Sequence, residues 1–259
     1  MTGQPHLARG GALVTGGTKR VGRAISLALA AAGYAVAIHH RADGEAGEAL
    51  VAEIAAAGGR AALVAADLSD PEAAGRLVAE AMDAVGPLTL LVNNASHFGD
   101  DRIETLTPQS WADHIGPNLL APILLSQAFA AAAGSLPPEA DPSIINIIDQ
   151  RVLRPNPQFF SYTLSKSALY TATQTLAQAL APRIRVNGVG PGPTLPSIHQ
   201  SQASFDAEVA GIPLQRRTAL SDITDAVLYL TGARAVSGQM IAVDGAQHLG
   251  WKTPDIIEP

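Results

Sequence analysis

Short apolar runs alternate along this chain with longer, alanine-rich amphipathic stretches, and that rhythm admits few folds. Runs with strand character fall at 12–14, 35–38, 62–65, 88–92, 144–148, 185–189 and 240–243. Helical periodicity fills the intervals near 21–32, 45–57, 71–85, 108–133, 161–181 and 221–231. Strands separated by helices pair in parallel, because each helix carries the chain back to the starting edge of the sheet. The expected fold is therefore α/β, a doubly wound parallel sheet in one domain, with a ligand crevice at the carboxyl ends of its strands. At 259 residues the chain is long enough to bury such a core.

Two stretches break the rhythm. Residues 134–142, GSLPPEADP, read as a proline-rich surface connection. Residues 190–213 form a longer interruption, and long loops inside compact domains often act as lids, so a substrate lid is expected near 193–212. The formal net charge of −6 offers no footprint for nucleic acid or an anionic membrane. There is no cysteine, which excludes thiol nucleophiles and fits a reducing cytoplasm. The first ten residues lack the apolar stretch of a signal peptide, and no continuous apolar run approaches the ~18 residues that span a bilayer. The histidines lack metal-binding spacing. These features predict a soluble cytoplasmic protein with a small-molecule substrate and no metal, membrane or nucleic-acid partner.

The first strand runs into Thr15-Gly16-Gly17-Thr18-Lys19-Arg20-Val21-Gly22 and then a helix. Glycine lets the backbone turn tightly there and approach a pyrophosphate, whose charge sits at the helix N-terminus. A tight turn without a ligand would give the same bare pattern, but its place after the first strand favours a dinucleotide. The second strand ends in His39, His40 and Arg41, and the glycine turn adds Lys19 and Arg20. An acid at that strand end would bind a ribose 2′-hydroxyl and repel a 2′-phosphate, so two basic clusters predict NADPH. Asp67 ends the third strand, where it can accept from an adenine amino group, and Asn93, Asn94 and Ala95 end the fourth. Asn118 is unfavourable inside a long helix and needs a partner.

Tyr162 and Lys166 stand four residues apart, and Asp149 lies thirteen residues before the tyrosine. Positions i and i+4 share a helix face, so both side chains meet at one point. A cation there favours the phenolate and lowers a pKa of ~10, giving a proton donor suited to neutral pH. An ionised Asp149 accepts hydrogen bonds only and would repel the alkoxide that forms when a carbonyl is reduced. Hydride addition to a C=N bond instead requires a proton at nitrogen, which an Asp149–Tyr162 pair can relay. The alternative role for Asp149 is structural, capping the turn toward Arg151.

With these residues in view, the chain resembles the short-chain dehydrogenase/reductases along essentially its full length. The matching motifs are Thr15-Gly16 to Gly22, Asp67, Asn93-Asn94-Ala95, Asn118, Tyr162-x-x-x-Lys166, Pro191-Gly192-Pro193 and Val243-Asp244-Gly245. The resemblance implies a Rossmann-like sheet of about seven strands, a nicotinamide cofactor and a homo-oligomer, either tetramer or dimer. It also suggests a tail from 249 to 259 that reaches a neighbouring subunit. Most members carry glycine where this chain has Arg20 and Ser96, and serine where it has Asp149. T-G-x-x-K-R-x-G, N-N-A-S-x-F and the early aspartate are similar to the pteridine reductases and dihydromonapterin reductases, as are GPNLLAP at 116–122 and GVGPG at 188–192.

By this resemblance the cofactor contacts Gly16, Thr18, Lys19, Arg20, Val21 and Gly22, then His39, His40 and Arg41, then Asp67 and Leu68. Asn94, Ala95, Ser96, Tyr162, Lys166, Pro191 and Gly192 complete its site. Arg20 and Ser96 would also touch a pterin, and Phe98 would sandwich it against the nicotinamide. Tyr162 would supply a proton with help from Asp149, Lys166 would hold the nicotinamide ribose, and Asn118 would hold a water chain. Two rivals stand beside this pterin reading. One is an NADPH-dependent carbonyl reductase acting on a 3-oxoacyl thioester, sugar or other ketone. The other is a non-catalytic NADP(H)-binding sensor.

Overall fold

A computed structural model describes residues 9–197 and 200–251. Its strands are β1 (Gly11–Val14), β2 (Ala35–His40), β3 (Arg60–Ala65), β4 (Leu88–Asn93), β5 (Ser143–Ile147), β6 (Arg185–Pro191) and β7 (Met240–Val243). They form one seven-stranded sheet in the order β3-β2-β1-β4-β5-β6-β7, with every neighbouring pair parallel. The helices are α1 (Arg20–Ala31), α2 (Gly44–Ala56), α3 (Pro71–Val85), α4 (Pro108–Ile115), α5 (Ala121–Ala133), α6 (Phe160–Leu180), α7 (Gln202–Gly211) and α8 (Leu220–Gly232). The Rossmann-like α/β expectation is met.

Strand parity explains the continuous apolar runs. Leu13, Ala37 and Leu91 point to one face of the sheet, where α3, α5 and α6 bury Leu77, Phe129 and Ala177. Ala12, Val14, Ile38 and Val92 point to the other face, against Ile25 and Leu29 of α1, Leu50 of α2 and Ile223 of α8. A sheet covered on both faces leaves no polar side to its central strands. The strand order reverses between β1 and β4, so the loops that follow them diverge and open a crevice at their carboxyl ends.

Two helical regions differ from the sequence expectation. The span 108–133 is interrupted by a π-helical turn, Gly116–Leu120, where the Ala121 amide bonds to Gly116 O. Pro117 and Pro122 each remove an amide donor from the ordinary i→i−4 ladder, which favours the wider turn. Pro108–Ala133 does reach the length and mean hydropathy of a membrane-crossing span. Its α5 part, however, buries Ala121, Leu125 and Phe129 against α3 and β4, as a core helix does. Within 190–213, expected as loop, lies α7, started by Ser201 accepting from the Ser204 amide and anchored by buried Phe205.

Candidate active site

The glycine turn after β1 is fastened to the end of β4. Thr15 Oγ1 accepts from the amides of Asn94 and Ala95, both at 2.9 Å, and Asn94 Nδ2 donates to Thr15 O at 2.9 Å and Gly16 O at 3.1 Å. Gly16 has φ +59°, which a side chain would strain, and a Cβ on Gly22 would lie 2.1 Å from Gly16 O, which leaves no room for one. Arg20 adopts φ 49°, which accounts for the glycine common at that position. Its guanidinium reaches across the crevice to donate to Leu195 O at 3.2 Å and Pro196 O at 3.1 Å.

The basic residues after β2 divide by strand parity. His39 is buried, its Nδ1 accepting from the Gly16 amide at 3.0 Å and its Nε2 facing Ala66 O at 3.1 Å. That bonding requires the neutral Nε2–H tautomer, and burial lowers the His39 pKa to about 4. The expected positive His39 is therefore corrected: it ties the glycine turn to the end of β3. Arg41 is exposed, Lys19 pairs with Asp43 at 2.6 Å, and His40 Nδ1 is buried with no hydrogen-bond partner among the described residues. Asp67 lies exposed beyond β3, held below the usual carboxylate range by hydrogen bonds from Ser69. The Leu68 side chain is part of the core.

Asn118 sits in the π turn and is fully buried. Its Oδ1 accepts from the His97 amide at 2.7 Å and Ser96 Oγ at 3.2 Å, and its Nδ2 donates to His97 O and Ser165 Oγ, both at 3.0 Å. These four bonds fill the capacity of the amide. The side-chain amide is thus used for positioning, and a water chain would have to bond elsewhere on the residue. Asn118 fixes the Ser96–His97 loop, and with it Phe98, against α6.

Tyr162 and Lys166 share a face of α6, as expected, and both are buried. Tyr162 OH donates to Asp149 Oδ2 at 2.9 Å, while Asp149 Oδ1 accepts from the Arg151 amide at 2.8 Å. The contacts needed for both roles weighed for Asp149 coexist, one on each oxygen. Lys166 Nζ donates to Ile147 O at 2.8 Å and stands 5.8 Å from the Tyr162 ring centre. Burial lowers the lysine pKa to about 8 and raises that of Asp149. Burial, then the adjacent Asp149 charge, raises Tyr162 well above its usual range. The expected acidification of the phenol by Lys166 is not found: loss of water and the neighbouring Asp149 outweigh the one opposing charge, that of Arg151.

Phe98 stacks on Phe159 with ring centres 4.3 Å apart, and meets Tyr162 edge-on at 4.7 Å. Phe159 was not found from sequence. It precedes α6 at φ 52°, a strained conformation for a bulky residue, and leaves the helix without a cap of its own. Asp101 supplies that cap, its Oδ1 accepting from the Ser161 amide at 2.9 Å. Arg20, Val21, Asn94, Ser96, Phe98, Asp149, Tyr162, Lys166, Pro191 and Gly192 line one cavity of about 880 Å³, roofed by 193–197 and α7. Phe98→Ala is expected to raise KM for a flat heteroaromatic substrate about tenfold, the loss of one stacking face with its burial, and to spare KM for the nucleotide. Steady-state kinetics with each varied in turn checks this, and equal rises would indicate structural damage.

A glycine cradle at the topological switch point, facing a tyrosine–lysine pair on one helix, is the arrangement of a dinucleotide-dependent oxidoreductase. The chain belongs to the short chain dehydrogenase family, whose sequence profile matches residues 11–207. It is 48% identical to FolM alternative dihydrofolate reductase 1 from Brucella canis, solved complexed with NADP, with a TM-score of 0.92 over 97% of this chain and 99% of that one. The Brucella suis structure, also in complex with NADP, gives 48% identity and a TM-score of 0.92 over 97% and 100% of the two chains. Among curated relatives, the 3-oxoacyl-acyl-carrier-protein reductase FabG of Staphylococcus aureus (strain Mu50) is 30% identical over 243 residues, 92% of this chain and 98% of that protein.

Proposed function

We propose that this protein is an NADPH-dependent reductase of a pterin C=N bond, taking a dihydropterin to a tetrahydropterin. The observation that carries the reading is the 2.9 Å bond from Tyr162 OH to Asp149 in a cavity walled by Phe98. Similarity to the two FolM reductases supports it.

The residues present fit the cofactor. The cradle excludes a Cβ at Gly22, the first turn of α1 holds no acid, and exposed Arg41 and Lys19 suit a 2′-phosphate. Gly16, Thr18, Arg20, Val21 and Gly22 would hold the pyrophosphate, and Asp67 with the Leu68 backbone the adenine. Asn94, Ala95, Ser96, Pro191, Gly192 and Lys166 would hold the nicotinamide end. NADPH supplies the hydride when bound.

The chain itself manages the proton. Tyr162 gives its hydroxyl proton to the ring nitrogen as the adjacent carbon accepts hydride, and Asp149 returns a proton to the phenolate. The raised Asp149 pKa suits that direction, since a carboxyl that retains its proton can donate it. Lys166, with a pKa of about 8, is largely cationic at neutrality and opposes the charge left on the phenol.

In its protonated form Asp149 would donate to a carbonyl oxygen as a serine does, and the FabG relative favours that second reading. A substrate panel separates them. Dihydrobiopterin or dihydromonapterin is expected to turn over faster than acetoacetyl thioester, and NADPH to outperform NADH by about tenfold, the worth of one charge-assisted bond to the 2′-phosphate. A faster ketone overturns the pterin reading.

We also place the substrate lid at 193–212, where α7 and the Arg20-bound carbonyls roof the cavity. A cytoplasmic homo-oligomer, tetramer before dimer, completes the proposal. Exposed Trp111, Leu120 and Leu164 on or beside α4 and α6 support it, and the lack of cysteine suits a reducing compartment. Of the 249–259 tail proposed to reach a neighbour, residues 252–259 lie outside the described residues.

A further inference from the structure

Glu208 lies half-buried on α7 and lines the cavity. Its Oε2 accepts from Gln200 Nε2 at 2.8 Å and its Oε1 from Gln247 Nε2 at 2.9 Å. A carboxylate only accepts, so these bonds fix the N–H ends of both amides toward Glu208. For Gln247 that turns Oε1 the other way, and this oxygen is buried with no hydrogen-bond partner among the described residues. Gln247 also lines the cavity, and its turn packs against the 150–152 turn that follows Asp149. Arg154 holds the Gln247 carbonyl at 3.1 Å, which steadies this wall.

The wall therefore offers acceptors. Each Glu208 carboxylate oxygen retains a lone pair beyond the one bound by a glutamine. Four cations line the cavity among the described residues, Arg20, Arg102, Arg151 and Lys166, and none is bonded to Glu208. Arg20 donates to the lid carbonyls and Arg151 to Asn156 beneath the Phe159 face. A substrate group bearing O–H or N–H finds partners here. A carboxylate meets a like charge and donates nothing in return.

We propose that Glu208, oriented by Gln200 and Gln247, determines specificity by selecting hydroxylated or amino-bearing pterin substituents and rejecting carboxylate-bearing ones. The inference rests on the pterin reading. With the reacting ring edge at Tyr162 and Asp149, the ring substituent extends through the same cavity to the lid wall. The test compares kcat/KM for dihydrobiopterin, whose side chain is hydroxylated, with that for dihydrofolate, whose tail ends in carboxylates.

In Glu208→Gln the dihydrobiopterin-to-dihydrofolate ratio is expected to fall about tenfold, the scale of one lost charge-assisted hydrogen bond, with KM for NADPH unchanged. Glu208→Asp keeps the charge and is expected to hold the ratio within about twofold. A Gln variant whose ratio moves less than about threefold overturns the inference, even where both activities decline through damage to the lid. An Asp variant that shifts the ratio as far as Gln does also overturns it. Wild-type enzyme that oxidises NADPH with neither pterin removes the parent reading, and the inference falls with it before any ratio is formed.

Discussion

Replacing Tyr162 by phenylalanine is expected to lower kcat for a dihydropterin by about 10³-fold, within the range contributed by a positioned general acid. The phenol lies 2.9 Å from Asp149 and is buried beside Lys166, with no other hydroxyl on that face of α6 lining the cavity among the described residues. The substitution keeps the ring that packs edge-on against Phe98 and removes one oxygen, so the aromatic wall survives. Lys166 keeps its bond to Ile147 O, and the glycine cradle is untouched. NADPH affinity should therefore change little while the chemical step fails. Single-turnover NADPH oxidation, with nucleotide binding measured separately, checks this. Retention of more than about a tenth of wild-type turnover would mean that the proton comes from another group.

The parts of this site legible in the sequence are those governed by local spacing. Tyr162 and Lys166 had to share a face once their segment was helical, and the glycines had to sit where β1 meets α1. The sheet was legible because its strands, buried on both faces, read as unbroken apolar runs. What escaped depends on contacts distant in sequence or on parity. Nothing in His39-His40-Arg41 says which histidine turns inward, and register with β1 and β3 decides it. Phe159 was hidden because its left-handed backbone is sustained by packing and by Asp101, which caps α6 from 60 residues away. The amide clamp on Glu208 joins three segments that no periodicity links.

The titration of the catalytic group was also beyond the sequence, for a related reason. Spacing predicts that Lys166 neighbours Tyr162, but the sign of the pKa shift depends on how much water remains. Burial removes it, and Asp149 bonds the hydroxyl directly at 2.9 Å, so the shift is upward. The Asp149–Tyr162 relay expected from the sequence keeps its partner under the proposed function, while the expected tuning by Lys166 does not set the sign of the shift.

That assignment makes Asp149→Ser the sharper experiment. Dihydropterin turnover should fall about 10²-fold, the lower end of general-acid contributions, because serine offers no comparably acidic proton to the phenolate. Ketone turnover should be kept or raised, since a neutral hydroxyl supports a nascent alkoxide. The pH profile carries the stronger constraint. A carboxyl raised by burial is protonated below its shifted pKa and loses its proton above it, so wild-type kcat should decline as pH rises through that value. A second decline is expected near pH 8, where Lys166 gives up its charge. The serine variant should lose the first decline and keep the second. Should both declines persist in the variant, or dihydropterin turnover stay unchanged, Asp149 would be confined to capping the Arg151 amide, and proton delivery to a ring nitrogen would need another source.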